Sequence, residues 1–577
     1  YQDHDWLDLF LKNMAFQQNH NISVRGGSEK VKYYVSFGYT DDNGLLKSDI
    51  QYYKRYNLRS NLTAELAKGL TLNVNMSGRY TQTQRAREDF QWTFKTLMVN
   101  DRGIGGYTME NPNHLSDIGP ESKNPYALVD KDIDGYRQDK RVNYTADVEL
   151  KWELPWVEGL SVSALGSFDG YNRNQSSLER KYQLYDYFTD TPTKTGGSSA
   201  DKYTSTMNLY QKIYGRIQAQ YQNSFGNHNL NVTAIAELSS TRSDYLTGSR
   251  QYTELFTNDM LNQGSASTQT NDGNREFGRL AAYLARANYD YAGKYLFEVL
   301  ARYDGSYRYA PGHRWAFFPS FSAGWRLSEE NFIKDNLPFI TNLKLRGSYG
   351  KSGYDAGDPF QYVSAYTMAS LNNNPLGYTF DGSSQVTGYV APGVVTDQLS
   401  WVTSTIANIG IDFDLWNGKL NGSFEWFNRK NTGILADRQQ AIPNTFGASF
   451  PKENLNSTRN RGFEFNIGTR GQIGKDFQYS VSANFTYARE RRLHQEEAEF
   501  QSSMDRWQNG KSDRNQNIMW LYKYDGQYTS LEQYENAPLL GGDLGNSKML
   551  PGSFRLLDLN GNGMIDWNDR VPEFWAT

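Results

Sequence analysis

The sequence contains no cysteine. Neither disulfides nor thiolate metal sites are therefore open to it, which leaves its compartment undecided. No stretch approaches the 18 or so consecutive apolar residues that a spanning helix needs, so a helical membrane protein is excluded. Basic surplus is missing too: 60 Lys and Arg stand against 64 Asp and Glu, for a formal net charge of -4. A nucleic-acid backbone is not the expected partner of such a surface. The six histidines (His4, His20, His114, His228, His313 and His494) are scattered and form no HExxH pair. The two GKS tripeptides, at Gly350 and Gly510, have Leu345 and Asp505 where a phosphate-binding loop requires its earlier glycine. The opening "YQDHDWLDLF" has no initiating Met, no basic region and no apolar run, so the chain reads as part of a longer protein whose signal peptide is absent or removed.

What is present is aromatic and alternating. Aromatic residues make up 15% of the chain, with 41 tyrosines and 13 tryptophans, while only 38% is hydrophobic. In "RVNYTADVELKWEL" (141–154), Val142, Tyr144, Ala146, Val148, Leu150, Trp152 and Leu154 fall on one face of a strand. Arg141, Asn143, Thr145, Asp147, Glu149, Lys151 and Glu153 fall on the other. The same period recurs at 56–66, 71–80, 207–221, 230–238, 295–303, 407–415 and 420–426. Repetition of the pattern carries the inference of half-buried β-strands.

The connections alternate as well. Tight links at 27–30, 67–69, 155–159, 223–228, 416–418 and 472–474 are followed by long ones at 84–140, 172–205, 240–274, 351–403 and 430–459. Short turns at one end and long loops at the other, joined by strands of about 10 residues or more, match a transmembrane β-barrel with periplasmic turns and extracellular loops. An array of soluble antiparallel sandwiches also alternates, but gives no reason for the loop asymmetry or the strand length. The expected fold is therefore all-β: a transmembrane antiparallel β-barrel of about 16 visible strands, with lipid against Val142 and the lumen against Arg141. Nothing before His20 supplies a partner for the first strand, and the segment after Tyr487 has no closing strand, so an open edge would face hydrocarbon. The expected organisation is a partial barrel over 1–577, in which 489–577 is a long extracellular loop region.

The stretches "ARYDGSYRYAPGHRWAFFPSFSAGWRLSEENFI" (301–333) and "LKLRGSYGKSG" (343–353) resemble the SusC/RagA-like TonB-dependent outer-membrane transporters of Bacteroidetes. So do "QNHNISVRGGSEKVKYYVSFGYTDDNGLLK", "NIGIDFDLWNGKLNGSFEWFNRK", "NSTRNRGFEFNIG" and "YKYDGQY", in family order along nearly the whole chain. The resemblance implies a 22-stranded barrel around an N-terminal plug, with Tyr1 after the first barrel strand and about 5 strands beyond Thr577. It implies active import of oligosaccharides or peptides across the outer membrane of a Gram-negative bacterium. The implied partners are a SusD-like surface lipoprotein over the mouth, TonB with ExbB and ExbD, and the lipid bilayer with its lipopolysaccharide. A dimer of barrel and lid pairs belongs to the same expectation; nucleic acid does not. The alternative from another class is a surface adhesin or glycan-binding protein without transport.

Two candidate sites stand out. "DLNGNGMIDWND" (558–569) places Asp558, Asn560, Asn562, Asp566 and Asp569 at positions 1, 3, 5, 9 and 12 of a calcium-type loop, with Gly563 at position 6 and the Met564 carbonyl at position 7. Calcium is thus the one cofactor expected, although Asp569 stands where a longer Glu is usual; a metal-free Asx-rich turn is the alternative. The second is "KYQLYDYFTD", where Tyr182, Tyr185, Tyr187 and Phe188 lie in a long loop and suit ligand contacts or loop self-packing. Tyr80, Trp152, Trp156, Tyr221, Trp416 and Trp426 sit near strand ends, as a headgroup girdle would. No catalytic pair is evident, so no enzyme is expected. Asp147, Glu149, Glu298 and Asp304 read as partners of wall cations such as Arg141, Lys151 and Arg302 rather than as a glycosidase pair.

Overall fold

The computed structural model describes residues 3–118, 123–252, 259–368, 377–379, 385–439, 448, 450–540, 546 and 549–574. The chain divides into two units. The first comprises residues 1–292 and 298–307; the second comprises 293–297 and 308–577.

In the first unit each strand pairs antiparallel with the next: β1 (Gln17–Gly27), β2 (Val31–Asp42), β3 (Tyr52–Ala67), β4 (Leu70–Ala86), β5 (Gly135–Glu153), β6 (Leu160–Tyr185), β7 (Pro192–Phe225), β8 (His228–Gln251) and β9 (Thr270–Tyr291). β10 (Tyr295–Ser306) pairs with β9. The tight links sit where the sequence places them. Lys68 and Gly69 turn β3 into β4, and Gly226 and Asn227 turn β7 into β8; both glycines have positive φ (74° and 60°), which a side chain would strain.

Register turns the alternation into two continuous surfaces. Leu62, Val74 and Val148 are successive cross-strand partners, followed by Gly166, Gly215 and Leu238. One residue along, Thr63, Asn73, Glu149, Leu165, Arg216 and Glu237 run across the opposite face. Burial is the reverse of a water-soluble protein. Val142, Val148 and Leu150 are 43, 46 and 42% exposed, whereas Arg141, Asp147 and Glu149 are half-buried. Apolar side chains turned outward and polar ones turned inward describe a wall that meets lipid on one side and water on the other.

The strands outrun the expectation. The link expected over 172–205 is a hairpin in which β6 continues to Tyr185 and β7 resumes at Pro192; β8 likewise runs on to Gln251 and β9 begins at Thr270. Beyond the hydrocarbon both faces of a strand are wet, so the alternation lapses while the backbone ladder continues.

Above these strands the loops build a small core. Helix α1 (Trp6–Phe10), capped by Asp5, brings Trp6 and Phe10 against Leu46, Ile50, Ala86, Leu97, Ile118 and Val129. Helix α2 (Phe90–Val99), capped by the Asp89 side chain on the Trp92 amide, contributes Leu97. An ion network ties the base of this 87–134 loop. Arg87 Nε donates to Asp134 Oδ2 at 3.1 Å, and Lys123 Nζ lies 2.8 Å from Glu88 Oε1. Burial pushes the fully enclosed Asp134 carboxyl up, and the Arg87 guanidinium draws it only part of the way back. Burial also raises Glu88, but Lys123 and Arg87 outweigh it and hold that carboxyl below its usual range.

The second unit repeats the plan with β11 (Trp315–Arg326), β12 (Ile340–Tyr354), β13 (Val402–Leu415), β14 (Leu420–Ala436), β15 (Glu453–Ile473) and β16 (Phe477–His494), again paired in order. Trp416, Asn417 and Gly418, all at positive φ, make its tight turn between β13 and β14. The segment after Tyr487 is more ordered than the sequence suggests. β16 continues to His494, so the first residues of the expected 489–577 loop region belong to a strand. Arg514–Asn515 pairs with Arg491 and Arg492, and Ile518–Tyr522 pairs with Arg570–Phe574.

Candidate functional site

The polar face of the first unit is wired by side chains that reach over intervening strands. Arg216 Nη2 on β7 donates to Glu149 Oε1 on β5 at 3.0 Å. Tyr214 Oη donates to Glu237 Oε2 at 2.7 Å, and Arg302 Nη2 on β10 donates to Glu237 Oε1 at 2.5 Å. Arg302 Nε also reaches Asp304 Oδ1 at 2.9 Å. The strand passed over offers a short or apolar residue at each crossing: Leu165 faces Arg216 in register, and the buried Ala282 faces Glu237. In the second unit Arg346 bonds both Asp412 (Nε to Oδ2, 3.1 Å) and Glu425.

Three of the four carboxylates expected to pair with wall cations do so among the described residues, with partners that the sequence did not assign, and Asp147 does not. Glu149 takes Arg216 rather than Lys151, which pairs with Glu153. Glu298 takes Arg286, Asp304 takes Arg302, and Asp147 accepts from the Ser167 hydroxyl. Arg141 lies 4.0 Å over the Tyr171 ring, which stacks on Tyr210.

Towards the long-loop end, the same face holds a depression of about 620 Å³ between β4 and β7. Arg85, Arg137 and Arg173 line it together with Asp139 and Glu179. Arg173 Nε donates to Asp139 Oδ2 at 2.7 Å. None of the three arginines stood out in the sequence, because β4, β5 and β6 reach these positions above the alternating region. A second depression, of about 610 Å³, lies in the second unit beside Asp437, Glu496 and Glu497; the Glu496 carboxylate accepts the Gln439 amide and the Glu497 carboxylate the Ser512 amide.

The structure separates the four aromatics of 181–190. Tyr182 is buried with Leu115, Ala127 and Leu184, its ring against Gly196 and Gly197. Burial pushes its hydroxyl far above the usual tyrosine range. Tyr185 stacks on His114 at 3.9 Å with the rings 5° from parallel. Tyr187 and Phe188 occupy the hairpin tip, in edge contact at 4.9 Å, with Phe188 exposed. The tip is pinned by carboxylates. Asp186 Oδ1 accepts the amides of Phe188 and Thr189 at 3.0 and 2.9 Å, and Asp190 Oδ1 accepts the Thr108 hydroxyl at 2.7 Å and lies 2.9 Å from His114 Nδ1. These hydrogen bonds hold both carboxyls below the ordinary value of 3.8.

The 558–569 loop is wound around its own side chains. Asp558 accepts from the amides of Gly561 and Gly563 (both 2.7 Å), Asn560 from Asn562 (2.9 Å), and Asn562 from Met564 (2.8 Å). Asp566 accepts from Asn568 (2.7 Å). Asp569 is fully buried and accepts from Leu559 and Asp566 at 2.9 and 2.8 Å. The donors are hard oxygens with lone pairs to spare, as calcium chemistry requires. Among the described residues, however, no three of the carboxylate or histidine groups converge as a metal cluster.

An antiparallel wall with an apolar outside and a cross-linked polar inside is that of a transmembrane β-barrel. Residues 99–570 match the family described as TonB dependent receptor-like, beta-barrel, and the chain belongs to that family. It is a family of receptors and transporters rather than of enzymes. The chain is 26% identical over 585 residues to the TonB-dependent receptor P3 of Formosa agariphila, and 26% identical over 602 residues to the TonB-dependent receptor SusC of Bacteroides thetaiotaomicron. Each alignment covers 98% of this chain and 55% of the relative, so the chain spans about half the length of the curated relatives it matches. The solved structure of the RagAB peptide transporter superposes with a TM-score of 0.73 at 19% identity, over 99% of this chain and 60% of that one, which places the two in the same fold. The SusC/RagA-like resemblance of the sequence motifs is thereby borne out.

Proposed function

We propose that this chain forms most of the wall of a TonB-dependent importer in the outer membrane of a Gram-negative bacterium. Its cargo is an oligosaccharide or peptide too large for passive pores. A SusD-like surface lipoprotein covers the extracellular mouth, and TonB with ExbB and ExbD supplies the energy. The observation that carries this reading is the inverted wall, with Val148 and its row outward and the Glu149–Arg216 row inward, in a chain of this family. Of the loop aromatics, Tyr187 and Phe188 are the pair presented to cargo or lid, since Tyr182 and Tyr185 are committed to packing.

The test is to extract the native protein from outer membranes in mild detergent and to identify by mass spectrometry what co-purifies. A stoichiometric surface lipoprotein, together with energised uptake that disappears on deletion, is the expected result. A barrel that binds glycan at the surface but supports no uptake overturns import in favour of an adhesin.

A further inference from the structure

Near the loop end of the first unit's polar face, β4 and β5 set two arginines side by side. Arg85 and Arg137 are direct cross-strand partners. Like charges so placed have Cβ atoms about 5 Å apart and destabilise the pair. Among the described residues neither guanidinium has an ion pair or a side-chain hydrogen bond, and both are exposed. The nearby acids are committed elsewhere. Asp139 holds Arg173, Glu179 accepts from the Ser198 hydroxyl at 3.2 Å, and Glu88, which feels the charge of Arg137, is held by Lys123 and Arg87. Two adjacent guanidiniums without an ion-pair partner at the rim of a depression of about 620 Å³, with Glu179 the one lining acid not paired to a cation among the described residues, offer a place for an anion brought from outside.

The rest of the lining says what kind of molecule carries the anion. Gln175, Ser177, Thr204 and Thr206 are neutral hydrogen-bonding groups on the inner face, and no aliphatic or aromatic side chain lines the depression among the described residues. Such a surface gives apolar peptide side chains nothing to bury against, and gives sugar hydroxyls donors and acceptors. The depression also lies beyond the hydrocarbon. At this height the outward face is itself polar, with Gln82 and Gln138 donating to the Tyr52 hydroxyl at 2.9 and 3.1 Å.

We propose that Arg85 and Arg137 together bind the carboxylate or sulfate group of an acidic oligosaccharide at the extracellular mouth. This rests on the import reading and narrows its cargo. Each guanidinium offers a planar pair of N–H donors, so the two clamp one oxyanion from neighbouring strands while the Ser, Thr and Gln side chains take the ring hydroxyls.

The experiment uses the full-length protein with its native partners, purified from outer membranes. Four probes are titrated calorimetrically: trigalacturonate, its carboxyl-reduced neutral counterpart, a sulfated galactotriose and triglutamate. Both acidic sugars are expected to bind at least about tenfold more tightly than the neutral one, the scale of one charge-assisted hydrogen bond. Arg85→Gln/Arg137→Gln should abolish that preference, and Arg85→Lys/Arg137→Lys should keep part of it. The heat-modifiable barrel band should be unchanged in both; if the Gln pair fails to assemble, the Lys pair carries the comparison through its loss of bidentate geometry. Equal binding of neutral and acidic sugar, no effect of either double variant, no binding of either acidic sugar, or binding of triglutamate in their place overturns the proposal. Energised uptake by cells is measured in parallel. Uptake of some cargo without a charge preference sinks this inference and leaves import standing, whereas no uptake beyond that of deletion cells sinks import itself.

Discussion

Arg216 and Glu149 form an ion pair at 3.0 Å although a whole strand lies between them, and the residue in register between the two is Leu165. The reach is possible because Leu165 has no polar group to intercept either partner. One such bridge after another, from Glu149 on β5 to Arg302 on β10, fixes strands to neighbours two removed and supplements the ladder hydrogen bonds. A wall that faces water inside and lipid outside gains this stiffening only on its inner face, because an ion pair has no place in hydrocarbon.

Tyr182 distinguishes packing from recognition. Its ring is enclosed and its hydroxyl has no hydrogen-bond partner among the described residues, so the oxygen is a desolvated burden and the ring is the stabilising part. Tyr182→Phe is therefore expected to be neutral or slightly stabilising, and Tyr182→Ala to cost about 3–5 kcal/mol locally. Protease resistance of the 87–134 loop measures both. Loss of cargo binding by the Phe variant with an intact loop would show that the hydroxyl serves a ligand.

The 186–191 tip should be acid-sensitive with a defined sign. Asp186 and Asp190 have carboxyls held below 3.8 in the folded chain, so their anchoring is complete above the unfolded value and is lost as pH falls through the lowered one. Hydrogen exchange at the Phe188 and Thr189 amides, which Asp186 alone holds, corrected for its intrinsic pH dependence, should show constant protection from about pH 7 to about pH 5 and declining protection below about pH 4. Asp186→Asn should weaken protection already at neutral pH. A protection profile that changes between pH 5 and 7 would contradict this account.

Much of the wall was legible in the sequence because lipid imposes a two-residue period. Val142 to Glu153, the turn at Lys68 and Gly69, and the turn at Trp416 to Gly418 lie where that period and the turn chemistry put them, while Leu154 falls just past the end of the strand. What the period could not reveal begins where the lipid ends. β6 continues past Asn172 to Tyr185 as a wet hairpin, so Tyr182 reads as a loop residue from sequence although it is part of a core, and Arg85 and Arg137 gain meaning only from register. The partner of Glu149 was similarly hidden, since Arg216 is 67 residues away in sequence.

We propose calcium as the ligand of the 558–569 loop. The loop holds its shape through hydrogen bonds from its own amides, so a bound metal would add stiffness rather than the fold. Added calcium should raise the resistance of this loop to proteolysis, and Asp566→Ala should remove that response. Identical digestion of the wild type and the variant, with and without calcium, would count against a metal site.

The absence of cysteine from these 577 residues, with any cysteine elsewhere in the full-length protein replaced by serine, makes the most direct test of the lipid-facing wall simple. Single cysteines placed in turn at 141–152 in the full-length protein, spin-labelled and reconstituted in liposomes, report collisions with oxygen, which concentrates in lipid, and with a water-soluble nickel chelate. The predicted result is a period of two, with oxygen maxima at Val142, Tyr144, Val148, Leu150 and Trp152 and minima at Arg141, Asn143, Thr145, Asp147, Glu149 and Lys151. Access of the nickel chelate to Val148 and Leu150 equal to that at exposed loop sites, or no two-residue period at all, would contradict a membrane-spanning wall.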